Sequence, residues 1–307
     1  MAPQLAWIGL GNMGRGMCKN LVEKGNLDKP LILYNRTPKR ADQLAEKFGA
    51  DKTTVASTIA DAVKDADIIF MCLGDDASVQ DVVNAILEQH IENKLIVDCS
   101  TVHPDTTNLL EKQVTAAGLE FVGMPVFGAP PMADAGSLVC VIAGAEKSVD
   151  KVKPYTKGVM GRADIDFSGQ PAGNATLLKV IGNTFVLNMV EVLSEGHTLA
   201  EKTGLGVDNL HSFISAMFPG PYAAYSQRML DGDYFQREEP LFHVDLARKD
   251  ARHAKDLAKR TGTNMPALQV ADAHLVKVQE HLGDKGDIPS IYGAVRQESG
   301  LTFENKE

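Results

Sequence analysis

Gly9-Leu10-Gly11-Asn12-Met13-Gly14 is the segment whose spacing most directly implies chemistry. It follows an apolar run, Leu5-Ala6-Trp7-Ile8, and leads into a helical pattern that ends near Lys24. G-x-G-x-x-G between a strand and a helix suits a dinucleotide pyrophosphate. Gly9 permits the tight turn, Gly11 lets the backbone approach the phosphates, and Gly14 lets the helix pack close to the strand. The helix N-terminus, where the pattern begins at Met13 just after Asn12, then attracts the phosphate charge. In any other setting the same glycines would make only a turn.

Leu31-Ile32-Leu33-Tyr34 has the composition of a second strand, and Asn35 follows it, 21 positions after Gly14. A site for NAD places Asp or Glu about 20 residues on, where the carboxylate accepts hydrogen bonds from the ribose 2′-hydroxyl. Here the chain reads Asn35-Arg36-Thr37-Pro38-Lys39-Arg40, with no acid. A carboxylate would repel a 2′-phosphate, whereas a guanidinium binds it through charge-assisted hydrogen bonds. The expected cofactor is therefore NADP, with Arg36 as the main phosphate ligand and Asn35 and Thr37 as polar neighbours. Thr37 and Pro38 also fit the N-cap and first position of a helix, which puts Lys39 and Arg40 on its solvated face.

The third segment runs from Gly169 through Pro171, Ala172, Gly173, Thr176 and Lys179 to Asn183. Lys179 and Asn183 are four apart, so a helix presents both on one face. Their neighbours Leu177, Leu178, Val180 and Ile181 are apolar. A lysine in such surroundings is costly to bury charged, and its pKa is expected to fall, which suits a general acid/base. The plainer alternative is a lysine at the edge of a core helix with its ammonium reaching water.

These residues need elements to hold them. Strand and helix patterns alternate through the first half. A helix over Pro38–Phe48 precedes a short strand near Val55, and Ser57 is placed to cap a helix through Val63. A buried strand over 67–72 leads to a helix over 77–89 and a strand over Leu95–Asp98. A helix over 104–117, an extended stretch over 119–123 and a strand over 138–142 follow. This rhythm predicts an α/β fold with a mostly parallel, doubly wound sheet, whose ligands gather at the C-terminal strand ends. Leu73, Ser100, Thr101 and the loop after Gly123 fall at such ends. From Gly173 the strand signals stop. A helical pattern of about 29 residues, 175–203, suits a helix joining two domains. Further helices are expected over Val207–Met217, 222–230, 243–261 and 266–281. The expected domains are 1–168, a Rossmann-type NADP-binding domain, and 169–307, an all-helical substrate and dimerisation domain.

The chain has 307 residues, a net charge of −9 and 44% hydrophobic residues. That balance argues against nucleic acid or an acidic membrane surface as the main partner. No run of apolar side chains stands out as long enough to span a membrane, and no signal peptide precedes the first strand. Cys18, Cys72, Cys99 and Cys140 are scattered among apolar neighbours, as free thiols in a reducing, cytoplasmic setting would be. His197, His253 and His274 have no paired ligand at metal spacing, so no metal is expected. Asp75-Asp76 and Glu238-Glu239 read as loop charges.

On these residues the chain resembles the β-hydroxyacid dehydrogenase family, relatives of 6-phosphogluconate and 3-hydroxyisobutyrate dehydrogenases. The family's G-L-G-x-M-G-x-x-M-x-x-N-L motif is met in full by Gly9 to Leu21. Its G-x-x-G-x-G-x-x-x-K-x-x-x-N motif is met at Lys179 and Asn183, with Gly169 one residue farther from the lysine than the motif's first glycine and the middle glycines shifted or replaced, Ala172 and Gly173 standing there. Asp98-Cys99-Ser100-Thr101-Val102-His103-Pro104 is similar to the segment that reaches the nicotinamide, and Leu246-Ala247-Arg248-Lys249-Asp250 to a signature of the helical domain. The resemblance implies that Lys179 gives a proton to the carbonyl oxygen while hydride arrives, and accepts it in oxidation. It implies that Asn183 holds the substrate and that Lys249 reaches the site to bind a carboxylate or the cofactor. It also implies a homodimer or homotetramer built through the helical domain, with a small-molecule substrate such as glyoxylate or a semialdehyde acid.

One loop departs from the family. Its D-x-P-V-S-G-G-x-x-x-A is Gly123-Met124-Pro125-Val126-Phe127-Gly128-Ala129-Pro130-Pro131-Met132-Ala133 here. Phe127 replaces a serine whose hydroxyl binds the substrate carboxylate, and Ala129 replaces a glycine. The substrate site at Ser100, Phe127, Gly128 and Ala129 is expected to be more apolar and less committed to acids, with Met124, Met132, Met217, Phe218 and Tyr222 as possible walls. An imine reductase is the alternative activity; that group keeps the fold but usually replaces the lysine, so Lys179 speaks against it. A non-catalytic NADP-binding protein is the other alternative.

Overall fold

The computed structural model describes residues 2–306. The chain divides into two compact units after Lys179, inside a helix, whereas the sequence rhythm changes at Gly173.

The first unit is an α/β layer structure. Its strands are β1 (Leu5–Ile8), β2 (Leu31–Tyr34), β3 (Thr53–Val55), β4 (Ile68–Met71), β5 (Leu95–Asp98), β6 (Glu120–Gly123), β7 (Val126–Phe127), β8 (Leu138–Gly144) and β9 (Gly161–Ser168). The sheet order is β3-β2-β1-β4-β5-β6-β8-β7, with β9 paired to β8. The strands from β1 to β6 are parallel, and β8 runs antiparallel to β6 and β7. The order reverses between β1 and β4, the switch point at which such sheets bind ligands.

The helices are α1 (Asn12–Lys24), α2 (Pro38–Phe48), α3 (Ile59–Lys64), α4 (Asp76–Leu87), α5 (Pro104–Ala116), α6 (Pro130–Ala135) and α7 (Glu146–Val152). Alternation along the strands sorts their side chains into two cores. Leu5 and Trp7 pack with Met17, Cys18 and Leu21 on one face, while Ala6 and Ile8 pack with Val79, Val83 and Leu110 on the other. Trp7 stacks on Phe70 at 5.7 Å.

Three sequence expectations need correction. Thr58, not Ser57, caps α3, its hydroxyl accepting from Asp61 N at 3.0 Å. Asp75 and Asp76 are more than loop charges. Asp75 caps α4, and Asp76 accepts from His103 N and Thr106 Oγ1, which ties α4 to the start of α5. The third concerns length and polarity in the second half, where α8 (Gly173–Lys202) crosses the division between the units. By length and composition it is apolar enough to cross a bilayer, since its polar residues are mostly uncharged; half of that apolar window is buried inside the protein.

The second unit continues with α9 (Val207–Met217), α10 (Pro221–Asp231), α11 (Asp233–Gln236), α12 (Val244–Thr261), α13 (Pro266–Leu282) and α14 (Ile291–Glu298). Its core gathers Leu187, Val190, Met229, Tyr234, Leu268, Leu275, Tyr292 and Phe303. His197 and His274 serve this core. His197 bonds to Ser226 Oγ at 2.8 Å, and burial holds it down to about 4. His274 bonds to Glu191 at 2.9 Å, which raises its pKa.

Candidate active site

The Gly-rich turn is built around two glycines that no other residue could replace. Gly9 has φ +97, and a Cβ there would lie 2.3 Å from Cys72 O and 2.8 Å from Leu73 Cδ2. A Cβ on Gly14 would lie 2.2 Å from Gly9 O, which already accepts a 2.8 Å hydrogen bond from Trp7 Nε1. At Gly11, by contrast, a Cβ would meet no atom within 4 Å. No packing contact within the fold requires Gly11 to be small, and a pyrophosphate approaching the turn would. Helix α1 starts there with no side-chain cap and no acid in its first turn. Its first turn also carries Arg15, held by a 2.7 Å hydrogen bond to Asn12 Oδ1. The sequence motif does not single out Arg15, whose position is a plain variable slot. These features fit a dinucleotide.

At the end of β2, Asn35 is a loop strut. Its Oδ1 accepts from Leu10 N at 2.8 Å and its Nδ2 donates to Thr37 O at 2.9 Å. That pair of bonds fixes the Gly-rich turn against the β2–α2 loop. Arg36 stands exposed between them and makes no ion pair among the described residues. Thr37 is the N-cap position of α2, without a side-chain cap bond, and Pro38 is at its start.

The next two strand ends are joined by a buried hydroxyl. Ser100 Oγ accepts from Leu73 N at 2.9 Å, and Ser100 N donates to Asp98 Oδ1 at 2.9 Å. Ser100 therefore sets the spacing of the loops that carry Leu73 and Thr101. Thr101 is partly exposed beside it.

Beyond β6 the chain makes β7, then Gly128 and Ala129, then α6. Pro130 and Pro131 occupy the first turn of α6, where a missing N–H does no harm. Gly128 has φ +139 and packs against Leu138 and Met132. The loop is anchored from α1. Asn20 Nδ2 donates to Ala133 O at 2.7 Å, and Gly16 leaves room for the backbone at Ala133 and Asp134. Of the proposed walls, Met124 is core and Met132 packs on it, while Met217 and Phe218 are exposed on the helical unit.

Lys179 is buried on α8. Its Nζ lies 4.5 Å from the centroid of the Phe127 ring. Thr176, one turn before it, bonds to Thr107 Oγ1 at 2.9 Å and so fastens this end of α8 to α5. Asn183 lies one turn beyond Lys179 on the same helix. In the second unit its Nδ2 donates to Asp250 Oδ2 at 2.6 Å. Lys249 Nζ is 3.3 Å from Asp250 Oδ1. All three are buried. Asp250 thus orients the Asn183 amide and balances the Lys249 charge. The resemblance places Asp250 in the Leu246–Asp250 signature but gives it no partner, because Asn183 is 67 positions away.

The cysteines take no part. Burial pushes the thiols of Cys18, Cys99 and Cys140 up, Cys140 to about 12, so they stay protonated.

A doubly wound sheet with a dinucleotide turn, closed by a buried lysine and followed by a helical unit, defines a nicotinamide-dependent oxidoreductase. The chain belongs to the β-hydroxyacid dehydrogenase family: the NAD binding domain of 6-phosphogluconate dehydrogenase matches residues 4–163, and the NAD-binding domain of NADP-dependent 3-hydroxyisobutyrate dehydrogenase matches residues 173–295. It is 38% identical over 292 residues to the NADH-dependent oxidoreductase ucdB of Aspergillus ustus, covering 95% of this chain and 98% of that one. It is 29% identical to glyoxylate/succinic semialdehyde reductase 1 of Arabidopsis thaliana, over 95% and 98% of the two chains. The Mycobacterium tuberculosis 3-hydroxyisobutyrate dehydrogenase shares the fold, with a TM-score of 0.80 at 23% identity over 96% of this chain and 100% of that one.

Proposed function

We propose that this protein reduces a small aldehyde acid, or oxidises the matching β-hydroxy acid, with NADP(H). The observation that carries this is Lys179, buried on α8 with Asn183 one turn away. The bound nicotinamide supplies or takes the hydride. Lys179 gives a proton to the carbonyl oxygen in reduction and accepts it in oxidation. Asn183, fixed by Asp250, holds the substrate oxygen. The Gly-rich turn and the α1 N-terminus, with Asn12, Met13 and Arg15, hold the pyrophosphate. Leu73 and Thr101 flank the nicotinamide half, and Lys249, beside Asp250, is a candidate cofactor ligand. The relative named glyoxylate/succinic semialdehyde reductase supports a short aldehyde acid as substrate. Buried thiols fit a cytoplasmic setting.

The preference for NADP rests on Arg36 and on the absence of an acid between Asn35 and Arg40. The name of the Aspergillus ustus relative points the other way, so the residue argument has to be measured in this chain. NADPH is expected to bind at least about tenfold more tightly than NADH, roughly 1.4 kcal/mol, from charge-assisted hydrogen bonds to the 2′-phosphate. Fluorescence titration of both cofactors checks it. Equal affinities, or an Arg36→Ala variant that keeps the preference, would remove the argument.

A second copy of the chain is the proposed macromolecular partner. Ile181, Phe185, Val192 and Leu199 form an exposed apolar stripe along α8, the kind of surface that a subunit interface covers. Sedimentation velocity showing only monomer would exclude it.

A further inference from the structure

We propose that Phe127 is a specificity-determining residue that weakens the selection for a substrate carboxylate, so that the proton-donating lysine also serves carbonyl substrates whose remaining arm is apolar. The proposal rests on the reading of Lys179 as the acid/base group.

Three observations converge, all within the first unit. The ring of Phe127 lies 4.5 Å from Lys179 Nζ, within the range in which an ammonium is attracted to the face of an aromatic ring. Phe127 also packs with Phe167 and Leu178 around Val141, Ala143 and Ala175. The lysine therefore projects beside an apolar wall made by β7, β8, β9 and α8. Finally, the segment from Phe127 to Ala133 has no hydrogen-bonding side chain. Pro130 and Pro131 have no N–H, and the N–H groups of Met132 and Ala133 are already donated to Ala129 O.

The consequences follow from charge and solvation. A carbonyl oxygen needs one donor, and Lys179 supplies it. A carboxylate placed on this side loses its water and meets the negative face of a ring, with no side-chain donor between Phe127 and Ala133 to compensate. An alkyl or aryl arm loses no hydrogen bond there and gains contact area.

The test compares kcat/KM for matched pairs, succinic semialdehyde against its methyl ester and a 2-oxo acid against its methyl ester, in wild type, Phe127→Ser and Phe127→Leu. NADPH binding and circular dichroism verify that each variant is folded. Wild type is expected to favour the acid by less than about tenfold, or to favour the ester. Phe127→Ser is expected to raise the acid-to-ester ratio at least about tenfold, mainly through KM for the acid, because it adds a donor and removes the ring. Phe127→Leu, which keeps the wall apolar, is expected to leave the ratio within about threefold of wild type. An unchanged ratio in a folded Phe127→Ser variant overturns the proposal. A wild-type preference for the acid above about a thousandfold overturns it without any variant. Wild type that turns over neither member of any pair overturns the underlying reading of Lys179 as well, so the two failures are distinct.

Discussion

Replacing Lys179 with alanine is expected to lower turnover by about 10² to 10⁴-fold while NADPH affinity changes little. The lysine is buried on α8 beside the Phe127 ring, and the phosphate-binding features lie at the Gly-rich turn and the β2 end. Loss of the amine removes the proton donor without touching the cofactor cradle. Lys179→Arg sharpens the test. It keeps a positive charge, but a guanidinium does not give up its proton in a protein, so this variant should be nearly as slow as alanine. Steady-state kinetics on the best substrate, with cofactor titration alongside, read both effects. Near wild-type turnover in Lys179→Ala would reduce Lys179 to a core-edge lysine.

Gly9→Ala is expected to have the second large effect, and in a different quantity. The residue sits at φ +97, and an added Cβ would fall 2.3 Å from the Cys72 carbonyl oxygen. Strain at such a position costs about 1–3 kcal/mol, and forced displacement of backbone costs a similar amount again. The strand end carrying Cys72 and Leu73 must move, and it is the edge on which the cofactor is proposed to rest. The expected result is a fall in thermal stability together with a loss of NADPH affinity. Gly11→Ala is the control, because a Cβ there meets nothing within 4 Å. It should leave stability near wild type yet weaken cofactor binding by crowding the pyrophosphate. Equal stability in the Gly9 and Gly11 variants would contradict the packing described for the turn.

Much of this was legible in the sequence because periodicity and glycine spacing are local. β1, α1, β2 and α2 fall where their apolar runs, Gly-rich turn and Thr37-Pro38 start signal place them. Other elements carry no local signal. β7 has two residues and is followed closely by Pro130-Pro131, so no alternation can register. β9 reads Gly-Arg-Ala-Asp-Ile-Asp-Phe-Ser and lies at an exposed edge, which leaves it with too little apolar character to be recognised. In α14 nearly every residue is buried, including Arg296 through its ion pair with Glu201, so the helix shows no polar face. The candidate site divides the same way. Gly9, Gly14, Arg36 and Lys179 announce themselves by type and spacing. Asp250 does not, since its bond to Asn183 exists only once α12 packs on α8. Ser100 was legible as a strand-end residue, but its bond to Leu73 N depends on two loops from different strands meeting.

NADPH oxidation over a panel of short aldehyde acids, their esters, 2-oxo acids and cyclic imines tests the central claim most directly. The expected result is turnover with at least one aldehyde or oxo compound, abolished to within about one part in a hundred by Lys179→Ala. Turnover of imines alone, or tight NADPH binding with no oxidation by any carbonyl compound, would contradict it.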